Sequence, residues 1–262
     1  MTVWKRYRPI PDLLEIVLPA LLTGLAVVSI HAPLGLEVLS RGIIFIDLAV
    51  AQIAGLFVVL VTLWQPDQAW LVVQVSALIA AVLAAGFFRW VERAMPKEQE
   101  AVIGSSFVVA ASLVLLVLAD HPHGREHFQD ILSGQLLFVA WADIAKFLPA
   151  HMAALALWVM VPRVRRGLPF YVLFAVVVTV SVQLVGVYVV FASLILPALA
   201  VNNRDRGRML GAMACGASAV VGGIAVSVLA DIPTGPFLVL AFAVAMVVFR
   251  GVGCMWNRRG TA

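Results

Sequence analysis

Apolar residues in this chain run in long blocks separated by short polar stretches, a pattern of membrane-crossing helices rather than of alternating strands. A helix needs roughly 20 apolar residues to cross about 30 Å of hydrocarbon. Blocks at residues 13–30, 42–64, 69–88, 101–119, 144–161, 209–229 and 237–254 approach or meet that need. The last follows the turn Asp231-Ile232-Pro233-Thr234-Gly235-Pro236. Residues 168–201 hold no charge at all, and as one straight helix would be about 50 Å long. Such a stretch must break, and Gly186 and Pro197 are the natural places. The expectation is a full helix over residues 168–185 and a shorter one ending near Pro197. Interrupted helices survive in membranes only where protein or a polar pathway covers the freed backbone, and they often mark transport sites. The expected fold class is all-α: a polytopic transmembrane helical bundle of eight to nine membrane segments, forming a single domain over residues 1–262.

Composition strengthens this reading. Hydrophobic residues make up 63% of the chain and charged ones 12%, with a mean hydropathy of +1.05. A soluble domain needs about 25% charged residues to clothe its surface, so here lipid must solvate the exterior. The net charge of +4 does not point to nucleic acid, because the basic residues sit in short clusters between apolar blocks. Such clusters mark loops retained in the cytoplasm. Arg89, Arg93 and Lys97, then Arg163, Arg165 and Arg166, then Arg204, Arg206 and Arg208, and finally Arg258 and Arg259 fall on one side if the chain crosses nine times. Only Lys5, Arg6 and Arg8 then lie opposite. Cys215 and Cys254 lack the CxxC spacing of a metal or redox site and read as small apolar residues.

Few residues could carry chemistry. Asp47 lies about five residues inside the second block, among Ile, Phe and Leu. A buried carboxylate there costs several kcal/mol unless paired, so a function is the default reading, and a hard oxygen ligand suits a divalent cation. The alternative is an interfacial or helix-paired aspartate. Gln52 points about 140° away from Asp47 on a regular helix, which makes it a poor co-ligand and leaves an interhelical hydrogen bond open to it. His151, near mid-span, could offer an imidazole to zinc or another transition metal, or simply pack with a hydrogen bond. His121, His123 and His127, with Asp120 and Glu126, could collect a cation in an external loop, or be solvated loop residues. Glu100 and Asp143 each precede a helix, where acids complement the helix dipole. No nucleophile with a histidine and carboxylate orienter, no P-loop and no Rossmann glycine pattern occurs, so active pumping would need a partner that hydrolyses ATP.

Val38-Leu39-Ser40-Arg41-Gly42 leads into the Asp47 helix; Glu100-Ala101-Val102-Ile103-Gly104 opens another. With the segments 130–137, 185–187, 192–200 and 233–236, these resemble the permease family of bacterial ATP-binding-cassette importers for zinc, manganese and iron. Asp130-Ile131-Leu132-Ser133-Gly134-Gln135-Leu136-Leu137 is similar to the family's Leu-x-Gly-x-x-Leu before a helix starting at an Asp. Val185-Gly186-Val187 with Ala192-Ser193-Leu194-Ile195-Leu196-Pro197-Ala198-Leu199-Ala200 is similar to its Leu-Ile-x-Pro-Ala-x-x-Ala, and Pro233 to Pro236 to the turn before its last helix.

The resemblance implies a homodimeric, multi-pass permease of the bacterial plasma membrane. It would bind no cofactor itself and would work with a separate ABC ATPase subunit and a periplasmic or extracellular metal-binding protein. The cargo would be a divalent metal, with zinc first and manganese or iron as the other candidates. Asn202, Asn203, Arg204, Asp205, Arg206 and Arg208 correspond to the segment that docks on the ATPase. One position departs from the pattern: the family commonly carries a His one helical turn after the Asp, and here it is Ala51. Losing that imidazole weakens tight zinc coordination, although His151 could compensate from another helix. The competing expectations are a permease for a metal chelate and a stand-alone exporter using Asp47 and His151.

Overall fold

The computed structural model describes residues 10–65, 68–118, 134, 136–204 and 207–259. Nine α-helices are found there: α1 (Ile10–Arg41), α2 (Ile46–Trp64), α3 (Trp70–Ala94), α4 (Gln99–Leu118), α5 (Trp141–Met160), α6 (Gly167–Val185), α7 (Val187–Ala200), α8 (Arg208–Ala230) and α9 (Thr234–Arg259). Eight are long and apolar enough to span a bilayer, and α7 is the shorter apolar helix. The chain is thus the all-α, polytopic bundle that its apolar blocks predict.

Two groups of helices pack around α1, α6 and α7. On one side α1 and α7 lie against each other and against α8, and α9 closes over α7 and α8. On the other, α2 packs on α3 and α4, with α6 behind α2 and α3. Helix α5 rests on α1 and α6. Dispersion and close fit must hold such a bundle together, because lipid removes most of the hydrophobic drive for one helix to leave its surroundings for another. The outer faces are correspondingly apolar: Leu116 is 70% exposed and Leu229 82%.

Three boundaries differ from expectation for identifiable reasons. Helix α1 does not end at residue 30 but continues through Pro33 to Arg41. Arg41 bonds Glu37 one turn earlier through both Nε (3.0 Å) and Nη2 (2.7 Å), and Gly35 packs directly on the Leu194 carbonyl of α7. Tertiary contact therefore outweighs the proline. Gly42, at φ +71°, then ends the helix, so α2 starts at Ile46 rather than 42. Asp47 is consequently in the first turn of α2, not five residues inside it. Thirdly, the short helix expected to end near Pro197 is found and closes at Ala200, so Pro197 falls in its last turn and the uncharged stretch breaks at Gly186.

That break shows how backbone is managed without water. Gly186 has φ +80° and ψ 161°, a conformation open almost only to glycine. Gly134, at φ +64°, sits on the break so closely that a Cβ added to it would lie 2.2 Å from the Val185 carbonyl oxygen and 2.5 Å from the Gly186 nitrogen. The Gly134 and Gly186 motifs, far apart in sequence, therefore meet as one covered bend. We predict that Gly134→Ala destabilises the detergent-solubilised protein by about 1–3 kcal/mol, the usual scale of overpacking. Gly86→Ala, where an added Cβ meets nothing within 4 Å, is the control. Thermal unfolding followed by circular dichroism checks both.

Candidate cation site and a buried polar chain

Three sequence candidates for metal binding occupy three separate places. Asp47 is at the start of α2. Gln52 lines a pocket of about 530 Å³ together with Leu48, Phe107, Val187, Phe191 and Val239. His151 lies on α5 in a different cluster. His121, His123 and His127 fall outside the described residues. No group of three or more His, Cys, Asp or Glu side chains close enough to hold a metal occurs among the described residues.

Asp47 is the anomaly. It is 1% exposed, and neither carboxylate oxygen has a hydrogen-bond partner. The preceding turn brings Phe45 to the N-cap of α2 with no side chain capping the helix. Instead the Phe45 N–H donates to Glu100 Oε1 at 3.1 Å. Glu100 belongs to the first turn of α4, so it caps a neighbouring helix rather than only complementing its own. Its other oxygen, Oε2, is buried without a partner. The bond to Phe45, two residues before Asp47, thus places the two acids at the adjoining first turns of α2 and α4, with three oxygens lacking a hydrogen-bond partner.

No basic residue neutralises this pair among the described residues. Arg41, at the end of α1, is already engaged: Glu37 holds it, Nη2 donates to the Arg165 carbonyl at 2.8 Å, and its guanidinium lies 4.1 Å from the Phe170 ring centre. Arg89 pairs with Glu92. A buried carboxylate without partner or counter-ion is costly enough to call for a ligand.

The histidines behave oppositely. His151 Nε2 and His31 Nε2 both bond the Ser181 hydroxyl, at 2.9 and 3.0 Å. His31 Nδ1 bonds Ser193 Oγ at 2.8 Å, and His151 Nδ1 donates to the Phe147 carbonyl at 3.1 Å. This chain links α1, α5, α6 and α7 beside the Gly186 bend, and it uses every imidazole nitrogen. His151 could ligate a metal only by giving up one of these bonds. Sequence reasoning missed His31, because it lies just beyond the residue where the first helix was expected to end. The continued apolar spacing through Leu34 and Val38 was the available signal.

The remaining candidates are accounted for more simply. Asp143 Oδ2 accepts the Ala140 N–H at 3.2 Å, as a helix-start acid should. Cys215 is a free, buried thiol in an apolar cluster with Ala32, Ala200 and Ala212, whereas the Cys254 side chain lies outside the described residues. In the loop after α7, Asn202 Oδ1 accepts from Arg208 Nη2 at 2.8 Å and Arg204 Nη2 donates to the Phe249 carbonyl at 3.0 Å. Asn203 lies in the same turn, and Asp205 and Arg206 are outside the described residues.

Eight apolar helices of spanning length define a multi-pass integral membrane protein. Its family model identifies it further: residues 13–166 and 161–251 match the ABC 3 transport family, and the chain belongs to that family. Among solved structures it is similar to PsaBC from Streptococcus pneumoniae, determined in complex with a Fab, at 19% identity and TM-score 0.73, over 91% of this chain and 93% of that one. It is also similar, at 17% identity and TM-score 0.65, over 94% of this chain and 90% of the other, to a transporter assigned to the metal-chelate ABC type in an inward-facing conformation. At such identities these likenesses establish the fold. No curated protein matches the chain.

The buried polar chain predicts its own disruption. Ser181→Ala would leave His31 Nε2 and His151 Nε2 without a partner, and each orphaned group costs about 1–3 kcal/mol. The expected result is a lowered melting temperature in detergent, larger than for Ser112→Ala, whose hydroxyl is on an exposed helix face and bonds only its own helix backbone.

Proposed function

We propose that the chain is the membrane-spanning subunit of an ABC importer that moves divalent metal ions into the cytoplasm, driven by a separate ATPase subunit and fed by an external binding protein. The observation that carries this reading is Asp47, buried and without any partner for its oxygens. In hydrocarbon an acid so placed is a functional group by default. Its family supplies the class of machine, and its carboxylate supplies the class of cargo.

In this reading the arginine-rich ends of α1, α3 and the turn before α6 face the cytoplasm, so Asp47 stands near the inner end of the route. Weak coordination there suits a conduit, since an ion that enters must also leave. Two copies of the chain would enclose the pathway, each contributing few donors. ATP-driven closure of the partner subunits would act through Asn202, Asn203, Arg204, Asp205, Arg206 and Arg208 and switch the dimer between outward- and inward-open states. The fit to a metal-chelate type transporter supports a second reading, in which the cargo is a chelated metal needing fewer protein ligands.

Metal uptake in cells depleted of their own importers tests the first reading. Asp47→Ala, at normal expression, should lower divalent-metal uptake by about tenfold or more, the equivalent of losing at least ~1.4 kcal/mol of ion stabilisation. Unchanged uptake of free ions would remove Asp47 from the route, and uptake restricted to a chelate would favour the second reading. For the coupling segment, Asn203→Cys should form a disulfide with a cysteine placed in the docking groove of the ATPase, seen as a shifted band on a non-reducing gel.

A further inference from the structure

We infer that Glu100 is a second cation-binding carboxylate, forming with Asp47 an all-oxygen site at which zinc loses most of the lead over manganese that nitrogen and sulfur donors give it. The inference rests on the proposed role of Asp47 and adds a residue and a selectivity to it.

Glu100 is held in place by a bond that leaves half of its carboxylate free. Oε1 accepts the Phe45 N–H at 3.1 Å, fixing the side chain against the start of α2. Oε2 is buried and has no partner, like both oxygens of Asp47 two residues beyond Phe45. A mere helix cap would not need this second oxygen to be sequestered from solvent. Two carboxylates in one apolar setting, with no arginine or lysine paired to either among the described residues, carry up to two uncompensated negative charges. A divalent cation cancels both; a monovalent one does not.

The donor chemistry sets the choice of ion. Zinc draws its affinity from imidazole and thiolate, while carboxylate and carbonyl oxygens suit manganese, magnesium and calcium. One turn after Asp47 the chain has Ala51, which brings no donor. His31 and His151 are committed to Ser181, and Gln52 lines the apolar pocket. Among the described residues no histidine or cysteine joins the two acids in a group of three or more. Oxygen ligation is therefore what the site offers, and it narrows the lead that zinc holds over manganese at mixed-ligand sites.

The test uses the full transporter reconstituted with its ATPase in liposomes, with manganese chloride and zinc chloride as the probes. Glu100→Gln keeps an acceptor for the Phe45 N–H but removes the charge, so the cap survives. The melting temperature should stay within that of the parent, while manganese affinity, read from loss of the free-ion electron paramagnetic resonance signal, falls about tenfold or more. Asp47→Asn should lower it similarly. In competition, zinc should displace manganese with no more than about tenfold advantage. The electron spin-echo modulation of bound manganese in the unsubstituted protein should show no nitrogen coupling.

Manganese affinity and uptake preserved in Glu100→Gln but lost in Asp47→Asn would overturn the role of Glu100 and leave that of Asp47 standing. Both preserved in Asp47→Asn would sink the underlying reading as well. Nitrogen coupling to bound manganese, or zinc displacing it at a thousandth of its concentration, would refute the oxygen-only site independently of any variant.

Discussion

Every feature of this molecule depends on one constraint: inside hydrocarbon a polar group has only the protein to bond with. Backbone satisfies it by staying helical, and among the described residues α6 gives way to α7 at the Gly186 bend. There the departure is covered. Gly134 presses its backbone against Val185 and Gly186, and the His31, Ser181, His151 and Ser193 chain runs alongside. The shorter α7 exists because the bend relieves it of spanning the bilayer alone.

The same constraint separates two kinds of buried polar group. The histidine chain closes on itself, each ring nitrogen bonded, and so serves to tie four helices together; low dielectric strengthens such a network only while it is complete. The carboxylates at the starts of α2 and α4 are the reverse. Beyond the bond from the Phe45 N–H to Glu100 Oε1, their other three oxygens have no partner, although arginines lie at the same end of the bundle. Those arginines are used elsewhere, Arg41 on Glu37, Arg165 and Phe170 and Arg89 on Glu92. Among the described residues His31 and His151 tie helices together, whereas Asp47 and one oxygen of Glu100 are buried without partners.

Much of this was legible in the residues. Uncharged blocks of the right length gave the helices, and the excess length of residues 168–201 demanded a break that glycine supplied. The acid at residue 47 stood out for its neighbours alone. What failed were boundaries and partners. The first block was expected to end at residue 30, but a close α1–α7 contact and the Glu37–Arg41 pair carry the helix on to Arg41, and His31 was missed with that boundary, while starting the second block at 42 put Asp47 too deep. Pro197 reads as a break, yet a helix near its end loses little by one missing N–H. Glu100 was recognisable as a helix-start acid, but that it serves the turn before a different helix is a tertiary fact no local pattern contains.

Helix α1 also has a mechanical consequence. Pro19 and Pro33 each delete a hydrogen bond from an otherwise stiff rod of 32 residues. The segment beyond Pro33 is a lever of roughly 12 Å with Arg41 at its tip, so a swing of about 5° at the proline displaces the guanidinium by about 1 Å. The Arg165 carbonyl holds that tip at 2.8 Å and Gly35 seats the root of the lever on the Leu194 carbonyl, so the bond lost at Pro33 is offset by contacts to two other parts of the bundle.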